Sequence, residues 1–298
     1  MGITVDEKEL REILEVTPCE QNIMIAGKHG IGKSVIIKKF FEAKGKKVVI
    51  CFCSQAADAG DIIGLPRFDE ATGKTEFALP WWFPTDGQPV VLFLDELPEF
   101  GRNVLEVLRQ PLEDRMITIS RAKYSVEYPS NFTLIGAMNP CPCGFYNHPT
   151  KECTCQPFAI NRYFSRISGP LLDRIDMIIQ VPAVHYEDLR RRKEAEPSSE
   201  IKARVDFARK RQHRRFGETS GMCNGRMGPT ELRYHCKLDD ESDELMRMAF
   251  ETLGLTARSY DRILKVARTV ADLDGCEEIE PQHIAEAIQY RAVNLGNR

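Results

Sequence analysis

No stretch of the 298-residue chain approaches the roughly 18 consecutive apolar residues that a membrane-spanning helix requires. An excess of charge of one sign is also missing. Lys and Arg number 41 against 44 Asp and Glu, a net charge of −3. A general attraction to nucleic acid is thereby excluded, and any contact with DNA has to come from local basic patches. There is no internal repeat, no low-complexity tract and no basic-then-apolar leader; Met1 to Leu10 is acidic and helical in pattern. Ten cysteines are present, but without an export signal they argue against a disulfide framework and for the reducing cytoplasm. What remains, 42% hydrophobic and 29% charged residues, is the composition of a globular protein of one large or two ordinary domains.

Five short apolar runs recur between helical segments: 22–26, 47–53, 89–95, 132–138 and 176–181. Each is β-branched or aromatic and almost continuously apolar, the pattern of strands buried on both faces. A parallel five-stranded sheet covered by helices is therefore expected, an α/β fold. Beyond Pro182 the strand-like runs stop. Segments 186–215, 239–253, 257–273 and 281–293 have helical period, punctuated by Gly254, Gly275 and Pro281. The expected division is an α/β core over 1–182 and a helical domain over 183–298.

The first run leads into Gly27, Lys28, His29, Gly30, Ile31, Gly32, Lys33 and Ser34, a complete G-x-x-x-x-G-K-S phosphate loop, and then into the helical Val35-Ile-Ile-Lys-Lys-Phe-Phe41. Strand, glycine loop and helix are the setting in which backbone N–H groups converge on phosphate oxygens. Lys33 is placed to reach the β- and γ-phosphates and Ser34 to ligate Mg²⁺. The third run ends in Asp95-Glu96. An acid there holds the magnesium shell and its neighbour polarises the attacking water, so Asp95 is the magnesium acid and Glu96 the catalytic base. Asn139 ends the fourth run, at the sheet edge where open α/β folds bind ligands. It is read as holding the lytic water or touching the γ-phosphate, against the alternative of an ordinary Asn-Pro turn. Arg174 lies just before the fifth run and suits reaching a neighbouring subunit's phosphate. Arg258 opens a helix of the second domain, where it can lie over the γ-phosphate; a surface ion pair is the alternative for either arginine.

With these residues in view the chain resembles an AAA+ ATPase: a P-loop AAA+ core followed by a helical lid. From about Leu92 to Arg291 it resembles the magnesium-chelatase-like ComM/YifB family. The resemblance is carried by Phe93-Leu-Asp-Glu-Leu-Pro-Glu-Phe100, Val107-Leu-Arg-Gln-Pro-Leu-Glu-Asp114, Gly136-Ala-Met-Asn-Pro-Cys-Pro-Cys-Gly144, Ser165-Arg-Ile-Ser-Gly-Pro-Leu-Leu-Asp-Arg-Ile-Asp176 and Ala257-Arg-Ser-Tyr-Asp-Arg-Ile-Leu264. It implies Asn139 as sensor 1, Arg174 as arginine finger with Arg166 as second choice, and Arg258 as sensor 2. It also implies ATP and Mg²⁺ as cofactors and a homo-oligomer, a hexameric ring. Residues 1 to about 90 instead resemble MoxR-like ATPases, through the phosphate loop, Asp61-Ile-Ile-Gly-Leu-Pro66 and Trp81-Trp-Phe-Pro-Thr-Asp-Gly87. The Gly-Pro-Pro-Gly-type loop, the Arg-Ala-Pro-His-His stretch and the Lon-protease-like N-terminal domain usual in ComM-like proteins are not found in it. A natural mosaic and an engineered chimera both fit that pattern.

Cys141-Pro-Cys143 and Cys153-Thr-Cys155, with His148 between them, offer four thiolates within fifteen residues. That set suits one tetrahedral Zn²⁺; reduced free cysteines and a redox sensor are the alternatives. Cys51 and Cys53 read as small buried hydrophobes. Residues 116–128 alternate in polarity and read as a hairpin with Arg121 and Lys123 at its tip. In the resembled branch such a hairpin faces a ring's channel, where it can follow a DNA backbone; a solvated turn is the alternative. Basic runs at 190–193 and 209–215 read as solvated helix faces or as flanks of a DNA channel. The work substrate is therefore single-stranded or branched DNA, handled by a motor for unwinding or branch migration, or else a protein partner of a remodelling or metal-insertion ATPase.

Overall fold

The computed structural model describes residues 5–17, 21–27, 32–52, 59–69, 74–78, 80, 82, 90–121, 124–130, 132–146, 148, 151–181, 196–218 and 220–291. Contacts group the chain into two compact units, one of residues 1–23 with 175–294 and one of 24–174 with 295–298.

The expected parallel sheet is present. Its strands are β1 (Ile23–Gly27), β2 (Lys47–Phe52), β5 (Val90–Asp95), β8 (Phe132–Met138) and β9 (Met177–Val181), ordered β2–β5–β8–β1–β9. All five lie within a residue or two of the apolar runs that predicted them. β1 and β8 are buried along their whole length and β5 along all but Asp95. Their sequences carry no polar alternation because neither face meets water. At the edge, β2 has its ends exposed, yet Cys51 points inward and is buried as expected; Cys53 lies outside the described residues. The parallel register sets Phe52 opposite Asp95 and Leu94 opposite Gly136.

The order has a consequence that no single strand reveals. β8 lies between β5 and β1. The residue that follows β8 therefore emerges between the end of the phosphate-loop strand and the end of the acidic strand. Helix α2 (Lys33–Ala43) starts at Gly32, whose φ of 81° is left-handed. A side chain there would strain the backbone just where the helix has to begin.

Two antiparallel hairpins stand apart from the sheet. One pairs β6 (Met116–Arg121) with β7 (Tyr124–Pro129), Arg121 opposite Tyr124, as the alternation predicted. The other pairs β3 (Leu65–Asp69) with β4 (Lys74–Ala78). It was not anticipated: β3 contains a proline, and neither strand has an apolar run or clean alternation.

In the unit containing the helical segments, helices span Ser198–Phe216, Asp240–Leu253, Ala257–Asp274 and Pro281–Gln289. Gly254 and Gly275 end two of them in left-handed conformation and Pro281 opens the last. Residues 182–195, including the basic run at 190–193, lie outside the described residues. The last helix stops at Gln289, short of the expected 293. The Tyr290 carbonyl accepts the Ile178 N–H at 2.9 Å, and Arg291 donates to the Ile175 carbonyl and to Ser259 Oγ. On the same strand the Val5 N–H reaches the Gln180 carbonyl at 2.7 Å.

The second basic run divides by face. Arg211 and Arg215 turn inward and, with Arg268 of helix Ala257–Asp274, surround the fully buried Asp272. Arg215 is bidentate to it, at 2.5 and 2.7 Å, and Asn224 Nδ2 donates to it at 2.8 Å. These two arginines are therefore internal glue and not part of a solvated face. Lys210, His213 and Arg214 are the members that stay exposed.

Candidate functional site

Gly32, Lys33, Ser34, Asp95, Glu96, Met138 and Asn139 line one cavity of about 250 Å³ at the carboxyl edge of the sheet. Residues 28–31 of the phosphate loop lie outside the described residues, so Lys28, His29, Gly30 and Ile31 have no described place. Gly27 closes β1, and its carbonyl accepts from Lys33 Nζ at 2.8 Å. The same ammonium lies 3.4 Å from Asn139 Oδ1. Lys33 thus spans the gap between the two strand ends that β1 and β8 bring side by side. It is 8% exposed. Burial pulls its pKa below the usual lysine value, while Asp95 and Glu96 oppose that shift. One cation beside two acids leaves the cavity short of positive charge, so a phosphate there would need a divalent cation as well.

Ser34 Oγ donates to Asp95 Oδ2 at 2.5 Å. A hydroxyl and a carboxylate in contact supply the hard oxygen donors that Mg²⁺ takes together with water and phosphate oxygens, so the pair fits the metal. Glu96 is one of two described non-glycine residues with positive φ, 57°. It caps the 3₁₀ turn Leu97–Glu99, and its carbonyl accepts the Glu99 N–H at 2.8 Å. A left-handed glutamate costs on the order of 1–2 kcal/mol, and such strain gathers at working sites. The turn departs sharply from β5, and Leu97 packs onto β8 at Gly136. A Cβ added to Gly136 would come within 3.1 Å of Leu97 Cδ2. Glycine in mid-strand is explained by that close approach.

The Asn139 backbone N–H donates to Tyr163 Oη at 3.3 Å. Tyr163 is carried by α6 (Pro157–Phe164), and burial pushes its pKa up. Sequence reasoning passed over Tyr163, since a tyrosine 24 residues beyond Asn139 has no spacing signature.

The two arginines proposed as fingers lie elsewhere. Arg174 is 6% exposed, ion-paired with Glu113, and donates to the Pro170 carbonyl at 2.7 Å. It lines a separate cavity of about 460 Å³ with Glu106, Arg109, Gln110 and Thr118. Arg166 is more open and donates to Glu99 Oε2 at 2.6 Å and to the Pro98 carbonyl at 3.1 Å. Glu113 and Glu99 are the partners that sequence gave no means of finding. Arg258 is exposed at the start of helix Ala257–Asp274, in the other compact unit. At the β6–β7 hairpin, Arg121 ends β6 and Lys123 lies outside the described residues.

The four cysteines meet. Cys141 Sγ lies 3.3 Å from Cys143 Sγ and 3.7 Å from Cys153 Sγ, and Cys143 and Cys153 are 3.6 Å apart. All four sulfurs lie within 4.8 Å of one another. Burial opposes ionisation of Cys143, but hydrogen bonds from the Phe145 backbone and from neighbouring thiols outweigh it and hold its pKa at about 6. Burial pushes Cys153 up to about 12. His148 is not in the cluster; its Nδ1 accepts the Lys151 N–H at 2.9 Å.

Comparison with known proteins gives two adjoining family matches. Residues 86–189 match magnesium chelatase, subunit ChlI, and residues 195–291 match the ChlI C-terminal region. The chain belongs to the magnesium-chelatase-like ComM/YifB family. It is 43% identical over 204 residues to the competence protein ComM of Haemophilus influenzae and 41% identical over 205 residues to the uncharacterized protein YifB of Escherichia coli. An uncharacterized protein of Mycobacterium bovis is 33% identical over 201 residues. These matches cover 67–68% of this chain but only 39% of each relative, so the chain spans about two-fifths of their length. The family is one of AAA+ nucleotide-binding proteins. The phosphate loop lies ahead of the residues that the two family models match. Among the described residues, no helix is long and apolar enough to cross a membrane.

Proposed function

We propose that the chain hydrolyses ATP with Mg²⁺ in the cavity formed by Lys33, Ser34, Asp95, Glu96 and Asn139, as the nucleotide-binding part of an oligomeric ring. The observation that carries this is the meeting of a phosphate-loop lysine, a Ser–Asp pair, a second acid and an amide on one cavity at the sheet's carboxyl edge. Lys33 and the 27–34 loop hold the phosphates, and Ser34 and Asp95 hold Mg²⁺, which neutralises charge on the phosphate oxygens. Glu96 takes a proton from the water that attacks the γ-phosphorus, the bond to the bridging oxygen breaks, and ADP and phosphate leave. Asn139 orients that water. Arg174 completes the site from an adjacent subunit, where a finger is worth about 10³–10⁵ in turnover. Arg258, on a helical lid over 183–298, responds to loss of the γ-phosphate. A hexameric ring in the cytoplasm is the assembly this reading requires.

The work proposed is on DNA, single-stranded or branched, coupling hydrolysis to unwinding or branch migration. Support comes from likeness to a competence protein and from the β6–β7 hairpin, whose first strand ends at Arg121. The second reading, a protein-remodelling or metal-insertion ATPase, is favoured by the chelatase-subunit matches. ATPase rate measured with and without forked DNA across a salt series separates them. A DNA motor is stimulated at low salt and loses the response as salt screens the phosphates. An ATPase indifferent to DNA even at low salt would sink the motor reading and leave the protein-directed one.

A further inference from the structure

We infer that Cys141, Cys143, Cys153 and Cys155 bind one zinc ion, and that this ion fixes the position of Asn139. Four sulfurs bonded at about 2.3 Å to a tetrahedral centre stand about 3.8 Å apart. The distances of 3.3, 3.7 and 3.6 Å among Cys141, Cys143 and Cys153 lie close to that edge length. Cys155 completes the set, since all four sulfurs fall within 4.8 Å of one another. The grouped donors include no carboxylate and no imidazole. An all-thiolate tetrahedral set selects a soft or borderline ion, and a closed set of four leaves no open position for catalysis. The Tyr146 N–H donates to Cys141 Sγ at 3.3 Å, the kind of outer contact that steadies a ligating sulfur.

The placement of the cluster gives the ion its role. Cys141 follows Asn139 by two residues and is fully buried. Cys155 precedes Gln156, the N-cap of α6. The far part of α6 carries Tyr163, whose hydroxyl receives the Asn139 N–H. Loop 141–155 therefore leaves Asn139, is tied at both ends by the same four sulfurs, and returns through α6 to Asn139. Within the loop the described backbone bonds are short turns, Gly144 N–H to the Cys141 carbonyl and His148 N–H to that of Phe145. Each turn spans three residues; the two ends meet at the sulfurs and at backbone-to-thiol bonds between Cys143 and residues 154–155, and a metal closing the set would lock that junction. The cysteines and Tyr163 are thus positioning residues. They are not among the residues lining the cavity but set where the Asn139 amide stands. This role in turnover rests on the ATPase reading above; the metal site does not.

The test uses the purified full chain. Metal analysis should find close to one zinc per chain, and cobalt exchanged into the site should show the intense absorption of tetrathiolate Co²⁺. Cys153→Ser should lose the metal, and amide exchange of the peptide containing Asn139 should speed up. Its ATP affinity should stay within about twofold while turnover falls by about tenfold or more, as expected of a misplaced group acting in the transition state. Tyr163→Phe should keep the zinc and show the same fall in turnover. If Cys153→Ser does not fold, stripping zinc from the wild-type chain with a chelator supplies the exchange measurement. A folded wild-type chain without zinc, or a cobalt form without the tetrathiolate spectrum, overturns the site. Zinc loss with unchanged exchange at Asn139, or wild-type turnover in Tyr163→Phe, overturns the positioning role. Stoichiometric zinc in a chain that hydrolyses no ATP overturns the ATPase reading alone.

Discussion

Lys33 and Glu96 sit on the same cavity but are held there by different means, and their substitutions should fail differently. Lys33 is buried, donates to Gly27 and faces Asn139, so the Lys33→Ala change removes the charge that balances the phosphates. ATP binding measured with a fluorescent analogue should drop below detection. Glu96 is fixed by its backbone, in a left-handed turn that a glutamine can also adopt. Glu96→Gln should therefore bind ATP about as tightly as wild type, while single-turnover hydrolysis falls by on the order of 10²–10⁴, the share a general base contributes. Equal loss of binding in both variants would show that Glu96 serves the ground state. Lys33, Ser34, Asp95 and Glu96 were all legible in the sequence, because each is fixed by a local pattern of strand, loop and helix or of strand and acid pair. Tyr163, Glu113 and Glu99 were not, because each is chosen by a tertiary neighbour and leaves no trace in spacing.

At the level of elements, continuous apolarity marked all five strands of the sheet, whereas the β3–β4 hairpin had no such mark. The reason is physical: a strand buried on both faces must be apolar throughout, while a short isolated hairpin need not be. The helical segments behave likewise, since Gly254, Gly275 and Pro281 announce their ends. The inward turn of Arg211 and Arg215 was hidden, because a run of basic residues on a helix gives no sign that a buried acid waits 57–61 residues later. Asp272 holds together helices Ser198–Phe216 and Ala257–Asp274. Asp272→Ala would leave Arg215 and Arg268 facing each other without their shared counter-charge, while Arg211 keeps its pair with Glu277. Removing one partner of a buried ion pair costs about 3–5 kcal/mol. Urea unfolding should show a loss of that size in the helical unit, and a change under about 1 kcal/mol would mean that water already serves these arginines.

At the level of the whole molecule, the ring reading leaves the proposed site unfinished in one chain. Arg174 is buried against Glu113 and lines a cavity of its own; in the ring reading it leaves that partner for a neighbour's γ-phosphate. Arg174→Ala should bind ATP normally and hydrolyse it slowly. Mixed with Lys33→Ala chains, which keep their arginine but cannot bind nucleotide, it should regain a substantial part of its turnover. If mixed chains assemble yet stay inactive, the finger is another residue, with Arg166 the next to test.

The two contacts on β9 bear on how the molecule is kept apart from its copies. In the strand order β9 is terminal, and an open strand edge invites pairing with other chains. Here Val5 binds at Gln180 and Tyr290 at Ile178, from segments almost three hundred residues apart in sequence. The two extremities of the described chain thus act as a shared selvedge on the sheet. Trimming either one would uncover backbone groups on that edge, so a shortened fragment should pair with copies of itself more readily than the full chain.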